Sequence, residues 1–253
     1  MKINYSEELL QKAQDNESEA QYQIGNCYHY GKGIHFDFVK AFDWYERSAN
    51  QGHPKAQCNL ACLYSIGDKD PQNAKIAIEW MQKSAEQNFA PAQTNLGLFY
   101  QKGNGVVANR DKAIEWFTKA SENGDLDGLY HLGYIFLENS DQKNLDIKKA
   151  LTYLKKAAKM GHADAQYCMG ICYSDKTYLK PNQIEALYWF ELAALQDHPN
   201  ASFNAGLYYY YGNEKISPNK ETALSFFEKA AKNGHQEALQ AVKSLQEEML
   251  IEK

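Results

Sequence analysis

The sequence predicts an all-α protein, an α-solenoid of stacked helix-loop-helix repeats. Three observations indicate this fold class: a short motif returns at a nearly constant interval, apolar residues follow helical spacing in each copy, and glycines stand where helices should end. Each repeat would carry an apolar face that it cannot bury alone, so neighbouring repeats have to stack to form a core.

The motif Ala-Gln-x-x-Leu-Gly, or a close variant, opens each copy. It begins at Ala20, Ala56, Ala92, Gly128, Ala165 and Ala201, and a small residue returns at Ala238, so the copies lie 36 or 37 residues apart. In the third copy the motif supplies Leu96 and Gly97, and Tyr100 follows one turn later. This spacing places the three residues on one face of a helix, where the small residue allows close approach of a neighbour.

A second helix is predicted after a variable loop in each copy. Its bulky marker column contains all four Trp of the chain and comprises Trp44, Trp80, Trp116, Tyr153, Trp189 and Phe226. Glycines that supply the positive φ of a helix C-cap should follow at Gly52, Gly124, Gly161 and Gly234.

We therefore expect one solenoid domain over residues 1–253. It would contain an N-terminal capping helix in 1–19, six repeats at 20–55, 56–91, 92–127, 128–164, 165–200 and 201–237, and a C-terminal capping helix in 238–253. Ser6 to Asp15 read as a lone second helix with Ala13 inward. The closing helix should turn Leu239, Val242, Leu245 and Met249 inward.

This pattern resembles the Sel1-like repeat family, which is related to the tetratricopeptide repeat. The signature is fullest from Ala92 to Val106 and from Lys112 to Ala120, and the resemblance covers nearly the whole chain. It implies a right-handed superhelix of bacterial type that serves as a scaffold, adaptor or regulator. The inter-helix loops of copies two, four, five and six lack the Gly-x-Gly of the family, which affects the loop geometry and not the fold.

Composition narrows the function classes. The net charge of −5 argues against a broad nucleic-acid interface, because phosphate binding needs clustered Lys and Arg. The N-terminal segment lacks the apolar core of a signal peptide, and no later segment is apolar enough to cross a membrane. Five Cys, an odd number, favour reduced thiols. We expect a cytoplasmic protein with no nucleic-acid or membrane partner.

Candidate catalytic or metal-binding residues have simpler structural explanations. His53, His162, His198 and His235 share one repeat position at the turn into a first helix, which favours a capping role. The pairs Cys58/Cys62 and Cys168/Cys172 lack the further ligands of a zinc site, so packing is the better interpretation. We expect no metal and no cofactor.

An enzyme is the alternative from a different class. Some Cys-rich relatives of this repeat are β-lactamase-like, and Ser140–Lys143 and Ser217–Lys220 match Ser-x-x-Lys. Both matches lie in polar loops, no Lys-Thr-Gly partner exists, and the paired Cys spacing of those relatives is absent. We therefore expect a protein without catalytic residues, with a β-lactamase-like or other hydrolase as the alternative.

The predicted binding surface lies on the first helices, which line the concave groove of such solenoids. Its residues are Tyr22, Asn26, Asn59, Asn95, Tyr130, Tyr134, Tyr167, Phe203, Leu207 and Tyr210. Tyrosine and phenylalanine rings offer contact area, and an Asn ladder can bond with an extended peptide backbone. Two alternatives stay open: the rings are buried between repeats, or the Asn ladder ties one repeat to the next.

These observations predict non-catalytic binding of a protein or peptide in the concave groove. A narrower alternative is an immunity protein that neutralises a cognate toxin.

Overall fold

The structure is a computed structural model that describes residues 4–66, 70–138 and 144–251. Within these ranges the chain forms fourteen α-helices and confirms the predicted all-helical fold. They are α1 (Glu7–Gln14), α2 (Ser18–Tyr30), α3 (Phe38–Asn50), α4 (Pro54–Ile66), α5 (Pro71–Glu86), α6 (Ala90–Lys102), α7 (Arg110–Glu122), α8 (Leu126–Glu138), α9 (Asn144–Lys159), α10 (Ala163–Ser174), α11 (Gln183–Leu195), α12 (Pro199–Tyr211), α13 (Lys220–Lys232) and α14 (Gln236–Ile251).

The chain divides into two compact units, Met1–Gly128 and Leu129–Lys253. In the first unit, α1 to α7 pack in chain order, each helix against the next. In the second unit, α9 to α14 pack in the same way. Even-numbered helices from α2 to α12 are the predicted first helices, and the odd-numbered helices from α3 to α13 are the second helices. Stacked helix-turn-helix pairs therefore build each unit.

A glycine of the first helix meets a ring of the second helix in several repeats. A Cβ on Gly97 would lie 2.5 Å from Cε1 of Phe117, and a Cβ on Gly170 would lie 2.5 Å from Cδ1 of Phe190. The same relation joins Gly25 to Tyr45 and Gly206 to Phe227. Because the glycines carry no side chain, the two helices approach until ring and backbone touch.

These buried rings are one residue beyond the tryptophan column. Phe117 is fully buried, whereas Trp116 is only partly buried. Lys119 Nζ lies 4.2 Å from the Trp116 ring centroid, and Lys83 Nζ lies 4.1 Å from that of Trp80. Trp80 and Trp116 thus pack at the edge of the core under the stems of cationic side chains, whereas Trp189 is buried in the core.

The glutamine of the repeat motif is a buried connector. Gln57 Nε2 donates to the carbonyl of Ala49 at 3.2 Å, and its Oε1 accepts from Gln87 Nε2 at 2.8 Å. Three helices are joined in this way: the end of α3, the start of α4 and the C-cap of α5. Equivalent bonds are made by Gln21, Gln93 and Gln166. The motif glutamine therefore satisfies polar groups at buried helix ends.

The predicted helix ends are confirmed. Gly52, Gly124, Gly161 and Gly234 have φ angles of +88°, +86°, +95° and +90°. Asn16 after α1, Asn88 after α5 and Asp197 after α11 take the same role with φ of +70°, +60° and +63°. The glycine pattern of the sequence does not mark these three positions, although short polar side chains also tolerate this conformation.

The terminal helices agree with the sequence except at one residue. Ala13 of α1 is buried, and Val242, Leu245 and Met249 of α14 pack against the preceding helices. Leu239 was predicted to face inward, which is wrong, because it is 59% exposed. The buried stripe of α14 starts at Ala238, and the next residue on a helix points about 100° away from it.

Gly97→Ala and Gly124→Ala separate the two roles of glycine. We expect Gly97→Ala to destabilise the protein by about 1–3 kcal/mol through overpacking against Phe117. Gly124 has no atom within 4 Å of an added Cβ, so Gly124→Ala should cost about 1–2 kcal/mol through backbone strain alone. Urea unfolding followed by circular dichroism measures both. Adding Phe117→Leu should lower the cost of Gly97→Ala and leave that of Gly124→Ala unchanged; equal costs with and without it would contradict the packing explanation.

Gln57→Glu tests the buried connector. A carboxylate cannot donate to the Ala49 carbonyl and is buried, so its pKa should rise above the unfolded value of about 4.3. The destabilisation relative to the wild type should then be large at about pH 7 and shrink at about pH 4, where the protonated acid can donate. Gln57→Met should lose about 1–2 kcal/mol with no such pH dependence. A pH-independent cost of Gln57→Glu would contradict the connector role.

Candidate functional site

The first-helix face of the second unit is formed by six of the predicted binding residues. They are Tyr130 and Tyr134 of α8, Tyr167 of α10, and Phe203, Leu207 and Tyr210 of α12. Tyr134 is 37% exposed, and the other five are half-buried. Tyr134 is therefore the most accessible of these six residues.

Tyr130 and Tyr134 form an aromatic pair one helical turn apart. Their ring centroids are 5.8 Å apart with planes inclined by 38°. Burial raises the pKa of the Tyr130 hydroxyl, with the charges of Cys168 and Asp164 as further causes. Burial also raises the pKa of Tyr178, to which Tyr134 contributes. Tyr178 is half-buried in the loop after α10, and no repeat position marks it in the sequence.

Each of three aromatic residues on this face stacks on the histidine that opens the following repeat. Ring centroids are 4.7 Å apart for Tyr130 and His162, 4.7 Å for Tyr167 and His198, and 4.2 Å for Phe203 and His235. In the first unit Tyr22 stacks on His53 at 4.8 Å. One side of each ring is therefore covered by an imidazole, which holds the ring in place.

His53, His162 and His198 cap the helices that follow them, as predicted, whereas the buried Nδ1 of His235 has no hydrogen-bond partner among the described residues. Nδ1 accepts a bond from the backbone N–H three residues later: Ala56 to His53 at 3.3 Å, Ala165 to His162 at 3.2 Å, and Ala201 to His198 at 3.1 Å. With Nδ1 accepting, the ring hydrogen lies on Nε2. In His198 it faces Asp164 Oδ1 at 3.1 Å, and in His53 it faces Glu19 Oε2 at 2.8 Å. One imidazole thus joins two repeats by stacking, capping and a carboxylate bond.

The first-helix face of the second unit has two parts. Phe203, Leu207 and Tyr210 pack with Val242, Leu245 and Met249 of α14, and Tyr210 donates its hydroxyl to Glu248 at 2.9 Å. Tyr130 packs instead among α8 to α11 with Tyr134 beside it, whereas Tyr167 packs with residues of α11 and α12. The structure therefore brings together Tyr130 and Tyr134 in one part and the three α12 residues in the other, and Tyr167 packs in a separate cluster.

The predicted Asn residues of the first unit form contacts both within their own repeat and with the neighbouring repeat. Asn26 Oδ1 accepts the Tyr45 hydroxyl at 2.8 Å and the Asn59 amide at 3.5 Å. Asn95 Nδ2 points to Cys58 Sγ at 3.8 Å. The contacts between repeats correspond to the second of the two roles considered for the Asn ladder, a tie between successive repeats.

The five cysteines are free thiols in the structure. Burial raises the pKa of Cys168 to about 11 and that of Cys172 to about 12, which keeps both thiols protonated near neutral pH. A hydrogen bond between Cys58 and Cys62 raises the pKa of the first and lowers that of the second. Among the residues that the structure describes, no group of three or more His, Cys, Asp or Glu could hold a metal ion.

Of the two Ser-x-x-Lys matches, the one at Ser217–Lys220 lies within the described residues. Ser217 is exposed in the loop before α13, and Lys220 Nζ lies 2.8 Å from Glu248 Oε1. Ser140–Lys143 lies outside the described residues. In the described part of the chain, no helix combines the length and the hydropathy that a membrane span requires.

The chain is similar to several known proteins. It shares 28% identity with chitin synthase regulatory factor 3 of Schizosaccharomyces pombe, over 94% of this chain and 26% of that protein. A protective antigen of uropathogenic Escherichia coli has a TM-score of 0.80 at 28% identity, over 95% of this chain and 51% of that one. A Sel1 repeat protein from Oxalobacter formigenes has a TM-score of 0.80 at 30% identity, over 94% and 68%. The chain thus spans about a quarter of the curated relative and about half of the antigen.

An immunity protein from Pseudomonas aeruginosa has a TM-score of 0.56 at 20% identity, over 87% of this chain and 83% of that one, a likeness of fold alone.

The Sel1 repeat model matches six consecutive segments: 18–53, 54–89, 90–125, 126–162, 163–198 and 199–235. Each segment starts at the first residue of a first helix, from α2 to α12. The matches cover most of the sequence, and the predicted family is confirmed. The chain belongs to the Sel1 repeat family.

Proposed function

We propose that this chain is a non-catalytic adaptor or regulator that binds a protein or peptide segment on the first-helix face of the second unit. The observation that carries the proposal is the accessible Tyr134 ring beside Tyr130 on a repeated helical scaffold. Tyrosine offers a large apolar surface with a polar tip, and such side chains dominate the energetics of protein interfaces.

The rings of this face are held before any partner arrives. His162 stacks on Tyr130 and His198 stacks on Tyr167, and each histidine is itself tied to a helix start. A side chain that is already ordered loses little conformational entropy on binding. Support of this kind favours a recognition surface on which the rings act as fixed anchors.

The ten predicted binding residues have graded roles in this proposal. Tyr130, Tyr134 and Tyr167 carry the main contact. Phe203, Leu207 and Tyr210, which also pack against α14, form the edge of the surface. The half-buried Tyr22, Asn26, Asn59 and Asn95 belong to the first unit, and we propose them only as a separate, lesser contact.

The names of the similar proteins suggest two roles, regulation and immunity. One relative is named a regulatory factor, and a structural neighbour is named an immunity protein. We favour a regulator or adaptor because the immunity likeness concerns the fold alone, at 20% identity. Reduced cysteines favour action in the cytoplasm.

Tyr134→Ala should weaken partner binding by at least about tenfold, because truncation of a central tyrosine removes a hot-spot contact. Peptides selected from a random display library with the full chain provide the ligands, and calorimetry measures their affinity. Tyr188→Ala is the matched control, since Tyr188 is 50% exposed but lies on the second helix α11. Unchanged affinity in Tyr134→Ala, or equal loss in both variants, would remove the proposed surface.

The hydrolase alternative has a direct assay. We expect no nitrocefin hydrolysis above background, and the same rate for Ser217→Ala, because a general base requires a neutral amine and Lys220 is ion-paired with Glu248. Ser140→Ala covers the second match. Turnover that disappears in either serine variant would establish an enzyme and overturn the proposal.

A further inference from the structure

We infer that the segment recognised by the first-helix face of the second unit is basic, with an arginine or lysine placed over the Tyr130–Tyr134 pair and beside Asp164. This inference rests on the proposed function and specifies its partner. Three features support it: the charges of the first helices, the state of Asp164, and the arrangement of the rings.

The first helices of the second unit contain neither Lys nor Arg, and His131 is their one imidazole. Over the stretch of α8 that belongs to this unit, and over α10 and α12, the sequence has carboxylates at Glu138 and Asp164 and neither Lys nor Arg. The lysines of this unit's helices stand on the second helices and α14, for example Lys148 of α9 and Lys229 of α13. The face is therefore electronegative even though the unit as a whole carries many lysines, and it would favour a cationic partner.

Asp164 is charged, and its hydrogen bond from His198 favours the charged form. The imidazole accepts the Ala201 N–H at Nδ1, so it donates from Nε2 as a neutral ring. This hydrogen bond is the main cause that lowers the pKa of Asp164, with the nearby His162 and His131 as weaker causes. The carboxylate is thus ionised near neutral pH, and the Asp164 side chain is 57% exposed. It can accept a hydrogen bond from a ligand cation.

The tyrosine pair supplies the second half of a cation site. Ring faces are electron-rich, and a guanidinium or ammonium within about 6 Å of a ring centroid is attracted to them. His162 stacks on the Tyr130 ring at a centroid distance of 4.7 Å, and Asp164 follows it by two residues at the start of α10, so the carboxylate lies near this ring. An arginine could therefore stack on tyrosine while its N–H groups point to Asp164, which suits a planar guanidinium best.

Other partner classes fit this face less well. Nucleic acid and anionic membranes present phosphates, which Glu138 and Asp164 would repel. Acidic peptides meet the same repulsion. The loop after α10 carries Asp175, Lys176 and Lys180, a net charge of +1 that lies outside the first helices.

The test compares three fluorescent peptides on one Ala/Leu scaffold that carry Arg, citrulline or Glu at the same positions. Fluorescence anisotropy with the full chain at low ionic strength measures their affinities. We expect the Arg peptide to bind about tenfold more tightly than the citrulline peptide and the Glu peptide to bind least, because citrulline keeps the shape and loses the charge. Tyr134→Ala should abolish most of the Arg preference.

Charge variants separate a local site from general attraction to an acidic protein. Asp164→Asn keeps an oxygen that accepts from His198 and should lower the Arg-peptide affinity about threefold or more. Glu221→Gln on α13 makes the same charge change on a second helix and should leave the affinity unchanged. Equal losses in the two variants would overturn the inference, as would equal binding of the Arg and citrulline peptides.

The outcomes also distinguish this inference from the proposed function. If library-selected peptides depend on Tyr134 but show no excess of Arg or Lys, the binding face stands and its basic ligand is refuted. If no peptide depends on Tyr134, both fail.

Discussion

The close approach of the two helices within a repeat is the constraint on which the rest of the structure depends. Where the first helix has glycine, the ring of the second helix lies against its backbone, as Phe117 does at Gly97 and Phe190 at Gly170. When ring and backbone are in contact, the two helices can pack in only one arrangement, because protein interiors are too densely packed to allow another. The orientation of each first helix, and hence of its exposed side chains, follows from it.

Polar groups then set how one repeat meets the next. A repeat buries the ends of helices whose backbone groups need partners, and side chains supply them: Gln57 bonds Ala49 and Gln87, and Ser84 donates to the Pro54 carbonyl at 2.7 Å. Such bonds are directional, whereas apolar contacts are not. They therefore fix the register between repeats more narrowly than burial alone would.

The histidine that opens a repeat connects this architecture to the candidate binding surface. His198 caps its helix, and its ring stacks on Tyr167. Its Nε2 also forms a hydrogen bond with Asp164 of the preceding repeat. A residue needed for stacking thus also orients a tyrosine and a carboxylate that a partner could contact. The same histidine thus stabilises the stacking of the repeats and holds the side chains of the surface in place.

Much of this was determined by the sequence alone: the repeat length, the helix pairs, the glycine caps, the family and the capping histidines. These features recur, and recurrence reveals positions that share a physical role. Only the tertiary structure decided the rest. It placed Phe117 and not Trp116 at the centre of its pair and exposed Leu239. It also engaged Asn59 and Asn95 with the preceding repeat. The physical reason is that helical periodicity tells which side of a helix is apolar, whereas burial and charge environment depend on neighbours that come from other parts of the chain.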